Sequence, residues 1–216
     1  MILPGDDRLE SDEETVLTSG SWIDGIQHEF LSPHRDNRGS FTEIFYNSWD
    51  TGIEPRQWSA VNSMTRVLRG MHLHLRHDEY ICILKGMACV GLYDLRKSSP
   101  TYKSHSLVEL NGDRPARLSF PAGVLHAWYF YEDSIHIQAV SETFETYGQD
   151  DNWGCYFGDP ELGIPWPDLN PILSQRARNF PNLDALAELL DEYAAARECG
   201  VVADESVTRY ASTEVI

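Results

Sequence analysis

Short apolar runs separated by clusters of turn-forming residues fill the middle of the chain, and this rhythm limits its fold more than any other feature. Tyr80–Leu84, Ala88–Tyr93, Ser106–Leu110 and Ser134–Gln138 are such runs, and Asp94–Pro100, Asn111–Pro115 and Glu132-Asp133 lie between them. No stripe of helical period interrupts the span from Gln57 to Gln138, so the expected architecture is an antiparallel sandwich or barrel. Upstream, Ile26–Phe30 and Phe41–Tyr46 read as strands on either side of the turn-rich loop Ser32–Ser40. After Pro171 the period changes. Asn182 is suited to cap a helix whose Leu183, Leu186, Leu190 and Tyr193 form one apolar stripe, ending near Gly200. The expected division is an acidic tail over 1–20, one all-β domain over 21–180, an amphipathic helix over 181–200 and a second tail over 201–216.

Chemistry-bearing residues concentrate in two places. In Arg69-Gly-Met-His-Leu-His74, His72 and His74 alternate with apolar residues, so on an extended strand both imidazoles share a face. Glu79 follows after a stretch of hairpin-turn length, which would return a carboxylate beside them. A third imidazole, His126, ends Pro121-Ala-Gly-Val-Leu-His126. Three histidines and a glutamate suit a divalent transition metal such as iron, manganese, zinc or nickel; the alternative is a hydrogen-bonded cluster with no ion. His77 and Asp78, in the turn before Glu79, and His105 read as exposed turn or strand residues with no part in the site.

The formal net charge of −17 argues against general binding to nucleic acid or to an anionic membrane surface, since both need positive charge. A local pair of arginines can still hold a diphosphate. Cys82, Cys89, Cys155 and Cys199 form no CxxC pair, Met1–Thr18 carries no apolar leader, and no apolar run reaches membrane-span length. A reducing, cytoplasmic setting is expected.

The two histidine segments resemble the paired motifs of the cupin superfamily, HxHx4Ex6G filled by His72, His74, Glu79 and Gly86, and PxGxxH filled by Pro121, Gly123 and His126. That likeness implies a cupin double-stranded β-helix, or jelly roll. Arg69-Gly-Met-His72, Asp94–Thr101, Phe120–His126, Asp159–Trp166, Asp36–Glu43 and Pro171–Ser174 together resemble a narrower group, the dTDP-4-dehydrorhamnose 3,5-epimerase family. The resemblance runs from Ile26 to Arg178. It implies a homodimeric enzyme with no organic cofactor that takes a proton from the carbon beside the ketone of a nucleotide-linked 4-keto-6-deoxy sugar. Carried over, His72 is the base, Asp159 the carboxylate that orients it, Tyr147 the acid, and Arg38 and Arg69 bind substrate. Asp159 could instead cap a turn at Asp-Pro.

Two positions depart from that family, which has a lysine where Glu79 stands and generally no histidine at 74. The combined change restores the metal-type cupin motif, so metal binding and base catalysis compete for His72. Three functions follow: an epimerase or isomerase acting through an enolate, a metal-dependent oxygenase or lyase on another small molecule, or a sugar-binding protein without catalysis.

Overall fold

The computed structural model describes residues 16–148 and 151–198. Its strands are β1 (Leu17–Gly20), β2 (Gln27–Phe30), β3 (His34–Asp36), β4 (Gly39–Phe41), β5 (Gln57–Ser63), β6 (Leu68–Leu73), β7 (Glu79–Lys85), β8 (Met87–Asp94), β9 (His105–Asn111), β10 (Ala116–Phe120), β11 (Val124–Phe130), β12 (Ser134–Val140) and β13 (Trp153–Gly154). Three helices complete it: α1 (Phe144–Tyr147), α2 (Gln175–Arg178) and α3 (Leu183–Glu198). One sheet runs β1-β9-β8-β11-β6-β13, a second runs β2-β10-β7-β12-β5, and β3 and β4 form a separate hairpin. All these pairings are antiparallel, giving the antiparallel sandwich expected from the strand rhythm and the jelly roll implied by the cupin resemblance.

Period-two alternation sorts each strand between two environments. On β11, Leu125, Ala127 and Tyr129 join an outer apolar cluster with Met71, Leu73, Trp166 and Leu186, while Val124, Trp128 and Phe130 face Ile81, Ile83, Leu92 and Leu118 inside the sandwich. Each fully buried aliphatic or aromatic side chain of this kind contributes about 1.5–3 kcal/mol. The C-terminal helix docks by its stripe. Leu183 and Leu186 are buried in the outer cluster and Leu190 and Tyr193 pack on it, while the Asn182 side chain accepts a hydrogen bond from the Ala185 amide at 3.0 Å.

Three sequence expectations are corrected. Leu17–Gly20 belongs to the domain and not to a tail, because β1 covers the edge of β9 that would otherwise stand open; residues 1–15 and the tail at 201–216 lie outside the described residues. The strand expected over Phe41–Tyr46 ends at Phe41, since the following segment is anchored by side chains, Phe45 against Trp58 and Tyr80, and not by a ladder. β6 and β7 do not pair as a hairpin: β6 lies between β11 and β13, and β7 between β10 and β12. The connection crosses from one sheet to the other, so Glu79 faces the histidines across the interior. Among the described residues, no helix is long and apolar enough to cross a membrane.

The turn after β8 is fixed by Asp94, a buried carboxylate that accepts hydrogen bonds from Arg96, Ser99 and Thr101. Burial alone would raise its pKa, but these donors outweigh it and bring the group to about 2. A carboxylate depressed on folding adds stability above its unfolded pKa and loses it as pH falls through the folded value. Asp94→Asn is therefore expected to cost about 1–2 kcal/mol at pH 7 after allowance for solvent screening, in urea unfolding. The gap to wild type should close between about pH 4 and pH 2.

Candidate functional site

Arg69 and His72 are three residues apart, an odd spacing that should put them on opposite faces of a regular strand. A bulge brings them to the same side. In the β6–β11 ladder His72 pairs with His126 and Gly70 with Ala127, leaving Met71 as the extra residue. Only glycine suits the turning point: Gly70 has φ of 122°, and a Cβ there would sit 2.6 Å from the Ala127 side chain and the His126 carbonyl. Met71 then faces the outer cluster, and His72 looks inward toward His126 and Trp128.

Glu79 Oε1 is the point on which the buried polar groups converge. His74 Nε2 lies 3.1 Å from it, His126 Nε2 3.3 Å and His77 Nε2 4.0 Å. The other carboxylate oxygen, Oε2, accepts a hydrogen bond from Gln138 Nε2 at 2.9 Å. Burial would raise the Glu79 pKa, yet the His126 and His74 imidazoles hold it well below the usual carboxylate range. Neither Glu79 Oε1 nor His126 Nε2 makes a hydrogen bond of acceptable geometry, although both are buried. Buried nitrogen and oxygen atoms left without partners and gathered in this way match the donor set of a divalent transition ion.

Beside this cluster lies a cavity of about 600 Å³ whose walls include Gln57, Asn62, Arg69, Gln138, Tyr147 and Asn152. Arg69 is anchored by Ser63 Oγ at 2.8 Å and the Asn62 carbonyl at 3.1 Å, and no carboxylate is needed to hold it. The Tyr147 ring stacks on His77, with centroids 4.3 Å apart, and its buried hydroxyl has no hydrogen-bond partner. Burial first, then the Glu79 and Asp151 charges, push this phenol up to about 12, so it keeps its proton at neutral pH. His72 shifts the other way. Burial, reinforced by His126, Arg176 and His74, holds its imidazole well below the ordinary value, with Glu79 opposing, so the ring is neutral and able to accept a proton.

The expected ligand set is only partly brought together. His74, Glu79 and His126 converge, but His72 stands apart, its ring centroid 5.9 Å from that of His126 and 6.4 Å from that of His74. Asp159 does not reach His72 by a hydrogen bond. Its Oδ1 accepts from the Glu161 amide at 2.9 Å and its Oδ2 from the Leu183 amide at 2.7 Å, so it caps a short 3-10 turn and fastens the start of α3. The His72 ring is instead set by contact with Trp128 and by the edge of Phe180. Arg38 sits on the exposed β3–β4 hairpin, paired with Asp36, away from the cavity walls.

Sequence reasoning missed His77 and Asp151. His77, expected in solvent, is 1% exposed, and its Nδ1 meets Asp151 Oδ2 at 3.0 Å. No spacing rule marks a pair so distant in sequence.

Comparisons with known proteins bear on the family and the fold. Residues 22–185 match the family model for dTDP-4-dehydrorhamnose 3,5-epimerase. The chain is 32% identical over 183 residues to the enzyme of that name from Streptomyces griseus, covering 78% of this chain and 90% of the relative. It also resembles a solved 3'-monoepimerase from Streptomyces bikiniensis in complex with dTDP-quinovose, at a TM-score of 0.68 and 25% identity over 86% of this chain and 92% of that one. A dTDP-6-deoxy-D-glucose-3,5-epimerase from Legionella pneumophila shares the fold, at a TM-score of 0.69 and 24% identity over 76% and 90% of the two chains.

Proposed function

The chain belongs to the dTDP-4-dehydrorhamnose 3,5-epimerase family, and from that premise we propose that it epimerises or isomerises a nucleotide-linked 4-keto-6-deoxy sugar. The observation that carries the reading is the cavity in which a protonated, unpartnered Tyr147 hydroxyl and the Arg69 guanidinium share one wall system. Neutral His72 takes the proton from the carbon beside the ketone onto its imidazole, and the Tyr147 hydroxyl returns one to that carbon. Arg69 offers fixed positive charge to the oxygen that becomes negative between the two transfers. Proton transfer of this kind calls for no organic cofactor.

His74 Nε2, Glu79 Oε1 and His126 Nε2 would hold a divalent transition ion, whether iron, manganese, zinc or nickel. When bound, such an ion supplies Lewis acidity for a carbonyl oxygen. The same donor convergence favours a second reading, a metal-dependent lyase or oxygenase on another small molecule, and full activity after rigorous chelation would remove it. The wholly exposed β3–β4 hairpin suits contact with a second copy, giving a homodimer that light scattering would detect. The free buried thiols of Cys82, Cys89 and Cys155 fit a cytoplasmic setting.

Incubation with nucleotide-linked 4-keto-6-deoxyhexoses in deuterated water tests the main reading. Deuterium should enter a ring carbon beside the ketone, and absence of exchange on every such sugar would refute the assignment. Charge-assisted hydrogen bonds are worth about 1.5–3 kcal/mol, so Arg69→Ala, which removes charge facing an oxygen that becomes negative only during the reaction, should lower kcat roughly tenfold to hundredfold in steady-state assays. The rise in KM should be smaller.

A further inference from the structure

We propose that Gln138 is a specificity residue of the cavity: held by Glu79, its side-chain amide turns its carbonyl oxygen to the ligand and selects a sugar that offers a ring hydroxyl as donor. That role rests on the nucleotide-sugar reading and deepens it, by naming the group that would sort one edge of the sugar ring from the other.

Which way the amide faces follows from its partner. A carboxylate oxygen can only accept, so the atom of the Gln138 amide that meets Glu79 must be the nitrogen. Gln138 Nε2 lies 2.9 Å from Glu79 Oε2. The other carboxylate oxygen, Oε1, is turned to His74 and His126 at 3.1 and 3.3 Å, which leaves Oε2 for Gln138. Both residues stand on paired strands of the five-stranded sheet. Val140 is opposite Glu79 and Gln138 opposite Ile81, so the ladder between β7 and β12 holds the two side chains at a fixed separation. Oε1 is the half of the Gln138 amide left over, and among the described residues it has no hydrogen-bond partner.

Gln138 is 3% exposed and lines the cavity, so its free oxygen sits where a ligand displaces water. A ligand that fills that space must supply a donor, because one that lacks it leaves a buried acceptor unpaired. The hydrogen bond to an anionic oxygen also polarises the amide, which makes its carbonyl the stronger acceptor. Other groups on the wall have the opposite sense. Arg69 can only donate, and Tyr147 keeps its proton at neutral pH. Gln57 Oε1 already accepts from the Phe144 amide at 2.8 Å, which leaves the Gln57 nitrogen for the cavity. The Asn62 and Asn152 amides can act in either sense. A ketone oxygen only accepts and so belongs with Arg69 and Tyr147. A hydroxyl can donate, and it belongs with Gln138. On a 4-keto-6-deoxyhexose joined to its nucleotide through the first ring carbon, the hydroxyls are on the second and third.

The test is isothermal titration of the full-length protein with dTDP-linked 6-deoxyglucose, which has no ketone to react, and with its 2-fluoro and 3-fluoro derivatives. Fluorine fills nearly the same space as a hydroxyl but cannot donate. The parent should bind one of the two fluoro compounds roughly fivefold to hundredfold more weakly than the hydroxyl compound. Gln138→Met, which keeps the length of the side chain without its amide, should abolish that preference. Glu79→Lys should abolish it too, because an ammonium at 79 draws the amide oxygen and turns the nitrogen to the cavity. The ratio of the two affinities is insensitive to a general loss of stability, and the parent's own preference is measured without any variant. Equal affinity of the parent for all three compounds, or a preference that survives either substitution, would overturn the proposal and leave the nucleotide-sugar reading standing. A parent that binds none of the three would remove both.

Discussion

His72→Gln is expected to slow deuterium entry into the sugar ring by roughly 10²–10⁴-fold, the usual worth of a positioned general base. The size follows from what the ring does and from what surrounds it. Its nitrogen is kept neutral by burial and by neighbouring His126, Arg176 and His74, so at neutral pH nearly every molecule has the base in the accepting form. Glutamine has similar polarity and reach but cannot take a proton. The surrounding Trp128 and Phe180 contacts hold either side chain in place, so KM and the melting temperature should move little. Wash-in rates followed by mass spectrometry decide the matter. A variant retaining more than a tenth of the parental rate would show that His72 is not the base.

Glu79→Lys should strip the protein of metal, with elemental analysis of the purified variant at background. The substitution replaces the shared acceptor by a donor carrying three protons. The His74 and His126 Nε2 atoms, 3.1 and 3.3 Å from Glu79 Oε1 and with their Nδ1 atoms facing backbone carbonyls, can then accept from its N–H groups. The Gln138 amide can present its oxygen by turning over. Every neighbour is satisfied, so the fold should survive, and an ammonium stands where a cation would otherwise sit. Wash-in should persist within about tenfold of the parent, since His72 and Tyr147 are untouched and positive charge remains near the enolate oxygen. Undiminished metal in the variant would disprove the ligand role of Glu79.

Much of this site was legible from residue order, and the failures share a cause. Strand rhythm gave the all-β domain because period-two alternation is a local property, and His74, Glu79 and His126 stood out because their spacing reflects strand ends that meet. The Asn182 cap and the Leu183–Tyr193 stripe were visible for the same reason. His72, expected beside His74 on one face of an extended strand, does not join the His74, Glu79 and His126 group, because β6 stops at Leu73 after the Gly70 bulge. The hairpin expected before Glu79 was a crossing between sheets, and turn length alone does not distinguish the two. His77 and Asp151 were hidden because their pairing is purely tertiary. Asp159 was assigned to catalysis by resemblance, while its Asp-Pro context correctly suggested a cap.

The crossing between β6 and β7 has one further effect. His126 belongs to the six-stranded sheet, and Glu79 and Gln138 to the five-stranded one. The cluster is therefore a clasp between two separately laddered layers. A breathing motion that parts the layers by an ångström or two would open the clasp while leaving every ladder hydrogen bond intact. Competence for chemistry thus reports how closely the layers are docked, and on warming it should fade before any strand does.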